Sequence, residues 1–239
     1  MKRAVELFAM EARTSGSPLV ARTWQARSTP EAWFISVADP HWQMVVTHQG
    51  GMSRLTVRGP ETRATAVPIP REAEFFGIDF SAGTFMPGLP PGRLVDRAVT
   101  LPGAADRSLW LDGSVWEHPD LDTAGVFVDR LVRAGLLVHD PVVAEALHGD
   151  TEGDIAGFSA RSLERRVARA TGLSRGATRR IRRAERAVAL LSAGVAPSEV
   201  ARRTGYADQP HLTRSLRRLV GQTPARIVAG VQDGGRGRY

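Results

Sequence analysis

Apolar and polar residues alternate along much of the first 120 positions. Val20–Arg27, Ala32–Val37, Trp42–Thr47, Arg54–Arg58 and Phe75–Phe80 each approach a period of two, the spacing of a half-buried strand. Turn signals separate them: Asp39-Pro40, Gly50-Gly51, Gly59-Pro60 and the cluster from Pro87 to Gly92. Several short strands punctuated in this way predict a β-barrel or sandwich. From residue 121 the period changes. Phe127, Leu131, Ala134 and Leu137, with Val126 and Val128 beside them, form the apolar stripe of a helix of about 15 residues, for which Thr123 is the expected N-cap. Asp140-Pro141 then predicts a cap and first turn for a helix ending near Leu147.

Four more helices follow from the same reasoning. Ser159 can cap a helix over 160–170, ended by Gly172, with Leu163, Val167 and Ala170 inward. Arg161, Glu164, Arg165, Arg166 and Arg169 are left mostly outward. Ser174 can cap a long helix over 175–193 whose stripe is Ala177, Ile181, Ala184, Val188 and Leu191, with Arg179, Arg182, Arg183 and Arg186 opposite. A short helix from Pro197 to Thr204 is followed by the turn Gly205-Tyr206-Ala207. Asp208 can cap the last, Gln209 to Val220, which buries Leu212, Leu216 and Leu219 and turns Gln209, His211, Thr213, Arg214, Arg217 and Arg218 to solvent or a partner. Short helix, glycine-containing turn and second helix form a helix-turn-helix pattern. Gln and Arg can make paired hydrogen bonds to base edges, Thr offers a hydroxyl and a methyl, and flanking Arg meets phosphate.

Charge sharpens this. The chain of 239 residues carries a net +7, but residues 161–226 alone hold 16 Arg against four acids. Residues 1–140 are near neutral, with 14 basic and 16 acidic side chains, and residues 141–160 hold four acids and no base. Such asymmetry is the electrostatic footprint of a nucleic-acid binder. A solvated Arg-rich surface is the competing reading, because Lys2 is the only lysine and Arg is favoured throughout. Arg is not the only clue, since the absence of cysteine excludes disulfides, Cys-ligated zinc, iron–sulfur clusters and a thiol nucleophile. It fits a reducing cytoplasm. No run approaches 18 apolar residues, and Glu6 and Glu11 interrupt the basic start, so neither a membrane span nor a signal peptide is expected.

All five Trp and seven of eight Phe precede residue 130. A small barrel lined with aromatics can enclose a ligand, which makes Trp24, Trp33, Trp42, Phe80 and Phe85 candidate pocket residues; core packing explains them equally well. His41 and His48 lie seven apart with no third ligand in sight, so no metal is expected, and no cofactor. No nucleophile elbow, phosphate-cradling glycine loop or paired-histidine helix points to an enzyme.

The stretch Arg183-Ala-Glu-Arg-Ala187, then Glu199-Val-Ala201, Gly205-Tyr206-Ala-Asp208-Gln209-Pro-His211-Leu212-Thr213-Arg214 and Gly221-Gln-Thr223-Pro224 resembles the DNA-binding domain of AraC/XylS-type transcription regulators. The likeness covers about 70 residues, Ser159 to Ile227. It implies an α+β chain: a cupin-like N-terminal β-barrel, then an all-α domain with two helix-turn-helix units joined by a long helix. The implied division is 1–120 for effector binding or dimerisation, 121–139 for a linker helix, 140–230 for DNA binding and 231–239 for a flexible tail. Base-facing positions implied by the family pattern are Arg161, Glu164 and Arg165 in the first unit, and Gln209, Pro210, His211, Thr213 and Arg214 in the second, with Arg217 and Arg218 beside them. The linking helix would span roughly 28 Å, close to the ~34 Å between successive major-groove faces. The sequence departs from the family between His148 and Phe158, where three glycines and three acids argue against a full scaffold helix. Phe76–Gly83 and Leu89–Leu101 resemble the degenerate cupin-like half of such regulators. Expected partners are therefore double-stranded DNA, with RNA polymerase, a small-molecule effector and a second copy of the chain as further candidates. An enzyme carrying a DNA-binding module and a DNA coat of low specificity are the alternatives; the alkyl-transfer version of the first needs a cysteine that this chain lacks.

Overall fold

The computed structural model describes residues 8–14, 16–28, 32–148 and 157–232. In chain order the strands before the first helix are β1 (Phe8–Thr14), β2 (Val20–Ser28), β3 (Ala32–Ser36), β4 (Gln43–Gln49), β5 (Met52–Arg58), β6 (Thr65–Ile69), β7 (Glu74–Phe80), β8 (Thr84–Phe85), β9 (Ala98–Thr100), β10 (Gly103–Ala105), β11 (Ser108–Leu111) and β12 (Ser114–Glu117). Then come α1 (Ala124–Arg133), β13 (Val138–His139), α2 (Pro141–His148), α3 (Ala160–Thr171), α4 (Arg175–Ser192), α5 (Pro197–Arg203), α6 (Gln209–Leu219) and α7 (Pro224–Gln232). Strands β1 to β12 precede the first α-helix, as the change of period predicts, and β13 follows it. No helix among the described residues is long and apolar enough to cross a membrane.

The chain divides into two units. The first comprises residues 1–32, 41–60 and 68–175, and the second 33–40, 61–67 and 176–239. The division cuts through the Arg-rich block, and α3 belongs with the strands.

In the first unit an antiparallel sheet runs β1-β2-β7-β4-β5-β9. Among the described residues β1 and β9 are its edges, and no closed barrel is found there. A second sheet is β10-β11-β12, and β8 pairs with β13. Strand alternation sends Met44, Val46, Leu55, Val57, Phe76, Ile78 and Phe80 into one core. Helix α1 covers it with Phe127, Val128 and Leu131. The ring of Phe127 meets Trp116 edge-on at 5.9 Å, and the Arg130 guanidinium lies 4.8 Å from the Trp116 centroid. The Phe127, Val128 and Leu131 face of α1 thus packs on the core of its own unit.

Two local expectations change here. Thr123 sits at the head of α1 without a side-chain cap bond. The Asp120 carboxylate instead accepts the N–H groups of Asp122 and Thr123 and the Thr123 hydroxyl, which holds Asp120 below the usual carboxylate range, the Thr123 hydroxyl contributing most. The helix also ends at Arg133, short of Ala134 and Leu137. Leu137 is buried all the same, its N–H bonded to the Leu131 carbonyl.

His118, just after β12, is buried with neither ring nitrogen partnered among the described residues. Its ring centroid is 6.4 Å from that of His48, whose Nδ1 pairs with the Ser53 hydroxyl at 2.5 Å. Burial, first of all, pushes both histidines below their ordinary value. Among the described residues no group of three or more His, Asp or Glu is arranged to hold a metal ion.

Candidate nucleic-acid interface

The helix-turn-helix of the second unit is built around one buried tyrosine. Helix α5 starts with Pro197 at its first position and buries Val200 and Ala201. Gly205 then takes φ +73, which a side chain would resist, and the Tyr206 N–H bonds back to the Ala201 carbonyl at 2.9 Å. Tyr206 is buried between the two helices. Its hydroxyl pairs with Ser215 of α6 at 3.1 Å, and its ring meets His211 edge-on at 5.2 Å. Arg183 of α4 lies over the same ring, 4.5 Å from the centroid. The sequence pattern places Arg183 on the solvent face of α4; the structure gives it to the turn.

Asp208 caps α6 as expected, its carboxylate accepting the His211 N–H at 2.6 Å. Leu212, Leu216 and Leu219, spaced i, i+4, i+7, are buried. Pro210, Arg214 and Arg217 have the same spacing half a turn away, so they form the outward ridge. Gln209 and Arg218 are exposed beside it. Two of the expected base-facing residues are half-buried. His211 leans on Tyr206, and the Thr213 hydroxyl donates to the Gln209 carbonyl at 2.9 Å. That leaves the Thr213 oxygen as an acceptor and its methyl for apolar contact. On α5, Glu199 and Arg202 form a two-point ion pair at 2.6 and 2.9 Å, which holds Glu199 below its ordinary value. Helix α7, which the sequence reading did not include, is capped by the Thr223 hydroxyl, accepting from Arg226 N–H at 3.3 Å. Thr223-Pro224 was its signal: a cap residue before a first-turn proline.

In the first unit, Ser159 caps α3 as expected, accepting the Ser162 N–H at 3.2 Å. Val167 and Ala170 pack with Val143 and Leu147 of α2 and with Phe85. Arg161 and Arg165 are exposed. Glu164 accepts the Arg175 N–H at 3.3 Å, so part of its carboxylate serves the start of α4. Arg166 makes a two-point bond to Asp140, at 2.9 and 3.0 Å, while Asp140 also accepts the Val142 and Val143 N–H groups at the head of α2. Partial burial alone would raise the Asp140 carboxyl, but the Arg166 and backbone bonds hold it below the usual range. Arg169 lies 5.3 Å over the Phe85 ring.

The four aromatic candidates whose side chains are described have different surroundings. Trp42 and Phe80 stack in the core at 4.0 Å, with the Trp42 N–H on the Thr84 carbonyl. Trp24 donates to the buried Asp79 carboxylate at 2.9 Å, beside Arg22. Phe85 borders a groove of about 510 Å³ with Pro87, Pro90, Val138, Arg166 and Arg169. The Trp33 side chain lies outside the described residues, as do residues 149–156, read above as too glycine-rich for a helix, and the tail from 233.

A family described as a helix-turn-helix domain matches residues 153–229. The HTH-type transcriptional regulator RipA of Corynebacterium glutamicum is 36% identical over 121 residues, covering 46% of this chain and 36% of the relative. The chain therefore spans about a third of the length of the curated relative it matches. No solved structure matches it.

Proposed function

We propose that this chain binds double-stranded DNA sequence-specifically through α6 and regulates transcription from there; the helix-turn-helix domain matched at residues 153–229, AraC/XylS-type in its motifs, and the likeness to a transcription regulator support the reading. The observation that carries the reading is the ridge Pro210, Arg214, Arg217 on α6, directly opposite its leucine stripe. It stands in a stretch, residues 161–226, with 16 Arg against four acids. Arg214 and Gln209 are assigned to base edges, and Arg217 and Arg218 to phosphates. His211 and Thr213 support them, Thr213 through its methyl. Arg161 and Arg165 of α3 are assigned a second set of contacts; Glu164 enters it only with the oxygen left over from Arg175.

Residues 1–120 are assigned a regulatory role, exercised by a small-molecule effector or by pairing of two chains, rather than an enzymatic one. RNA polymerase is the further partner in this reading, and the cytoplasm its place. The degenerate cupin-like likeness of Phe76–Gly83 supports the assignment, although the sheet is open. Selection of bound duplexes from random DNA tests the reading. A recurrent sequence, bound far more tightly than random duplex, is the expected result. Binding without preference would favour a DNA coat, and turnover of a small molecule by the first unit would favour the enzyme alternative.

A further inference from the structure

An α-helix leaves its last carbonyls without partners of its own. In α6, Leu216 and Arg217 are met by the N–H groups of Val220 and Gly221 just beyond the helix. The remaining two, Arg218 and Leu219, are met from far upstream. Ala64 N–H donates to the Arg218 carbonyl at 2.8 Å, and Ala38 N–H to the Leu219 carbonyl at 2.7 Å.

The two donors sit on segments that are themselves tied together. Strands β3 and β6 pair, Asp39 and Glu61 exchange reciprocal backbone bonds at 2.8 and 3.0 Å, and the Ser36 hydroxyl donates to the Glu61 carboxylate. The chain leaving α6 runs close against them. A Cβ at Gly221, where φ is +75, would lie 3.0 Å from Ile35 Cγ2 and 3.2 Å from Ala64 Cβ. Ala38, Leu219 and Val220 are buried at this seam. Residues 33–40 and 61–67 therefore belong to the helix-turn-helix unit by contact, although they interrupt the strand region in sequence.

We propose that these two segments form a backbone clamp that positions α6 for DNA. The clamp supplies no group to the DNA; it fixes the axial position and tilt of the helix that does. The proposal rests on α6 being the recognition helix.

The full-length chain tests it, and its lack of cysteine makes cross-linking clean. Ala64→Cys with Gly221→Cys places two Cβ positions 3.2 Å apart, a few tenths of an ångström inside the disulfide range, at the cost of a side chain on the left-handed backbone of Gly221. The clamp predicts that the pair cross-links in the folded protein and that the oxidised form keeps its preference for the selected duplex. Ala38→Pro and Ala64→Pro delete the donors, whereas Ala38→Gly and Ala64→Gly keep them. The proline variants should bind the selected duplex at least ~10-fold more weakly while random duplex changes little, and the glycine variants should bind as wild type. Failure to cross-link in a double variant that keeps the wild-type unfolding transition overturns the clamp, and so do Ala38 and Ala64 amide protons that exchange in the wild-type chain as fast as exposed ones. Proline variants that bind as wild type, or that lose both duplexes equally, overturn its positioning role. If the wild-type chain selects no duplex, the recognition-helix reading fails instead, and cross-linking still decides whether the clamp exists.

Discussion

Arg183 and Tyr206 lock the helix-turn-helix from behind: the guanidinium lies 4.5 Å from the ring centroid and bonds the Gly205 carbonyl at 3.4 Å. The turn is thereby held against α4 as well as between α5 and α6. Loss of a partly buried cation–π contact costs about 1–2 kcal/mol. Arg183→Ala should lower unfolding stability by about that much and weaken DNA binding, although Arg183 faces Tyr206 rather than solvent. Arg183→Lys should recover less than half, because an ammonium cannot lie flat on the ring. Denaturant unfolding of the three proteins checks this.

Asp140 joins two jobs, capping α2 and pairing with Arg166 of α3. Asp140→Ala removes a cap, worth about 1 kcal/mol, and leaves a half-buried guanidinium unpaired. A loss of about 2–3 kcal/mol is expected. Arg166→Ala should cost less, because the cap survives. Asp140 is held below its ordinary value, so its contribution is present above the unfolded carboxylate range and disappears as pH falls through the folded value. Stability curves of wild type and Asp140→Asn at pH 7 and pH 3 should therefore converge toward acid.

His118 supplies the opposite case of a base kept neutral. Burial, then His48, then Arg107 lower its affinity for a proton. The unfolded chain protonates near the ordinary 6.5, so unfolding takes up protons below that pH and stability falls as pH drops through the 7-to-5 range. Replacing His118 by Phe should flatten that part of the pH profile of the first unit. A profile unchanged by the substitution would show that His48 or another group carries it.

Helices α1 to α6 were the legible part of this chain. The buried stripes of α3 and α6 repeat at i, i+4, i+7, and their caps Ser159 and Asp208 stand just before them. Strands β9 to β13 were not legible, because two to four residues give no period. In β6, Pro68 breaks the run. Barrel closure also leaves no trace in an alternating pattern, since an edge strand and a paired one alternate alike. Outward arginines were the deepest ambiguity. Arg166 shares the polar face of its helix with Arg165, and nothing local separates the group that meets Asp140 from the one that is exposed; nor does anything local mark Arg183 for Tyr206. The clamp on α6 joins residues more than 150 positions apart through backbone atoms, which side-chain patterns do not encode.

Phosphate and base contacts differ in salt response. Arg217→Ala and Arg218→Ala should each lower affinity for all duplexes alike and reduce the salt slope by about one. Fluorescence anisotropy titrations across a salt series measure both.

The most direct test of α6 as a reading helix is the ratio of affinities for the selected and a random duplex, measured at one salt concentration for wild type and Arg214→Ala. If α6 reads bases, the wild-type ratio is large and falls by about 5- to 150-fold in the variant, the equivalent of about 1–3 kcal/mol of base discrimination. Equal losses on both duplexes, leaving the ratio untouched, would contradict it.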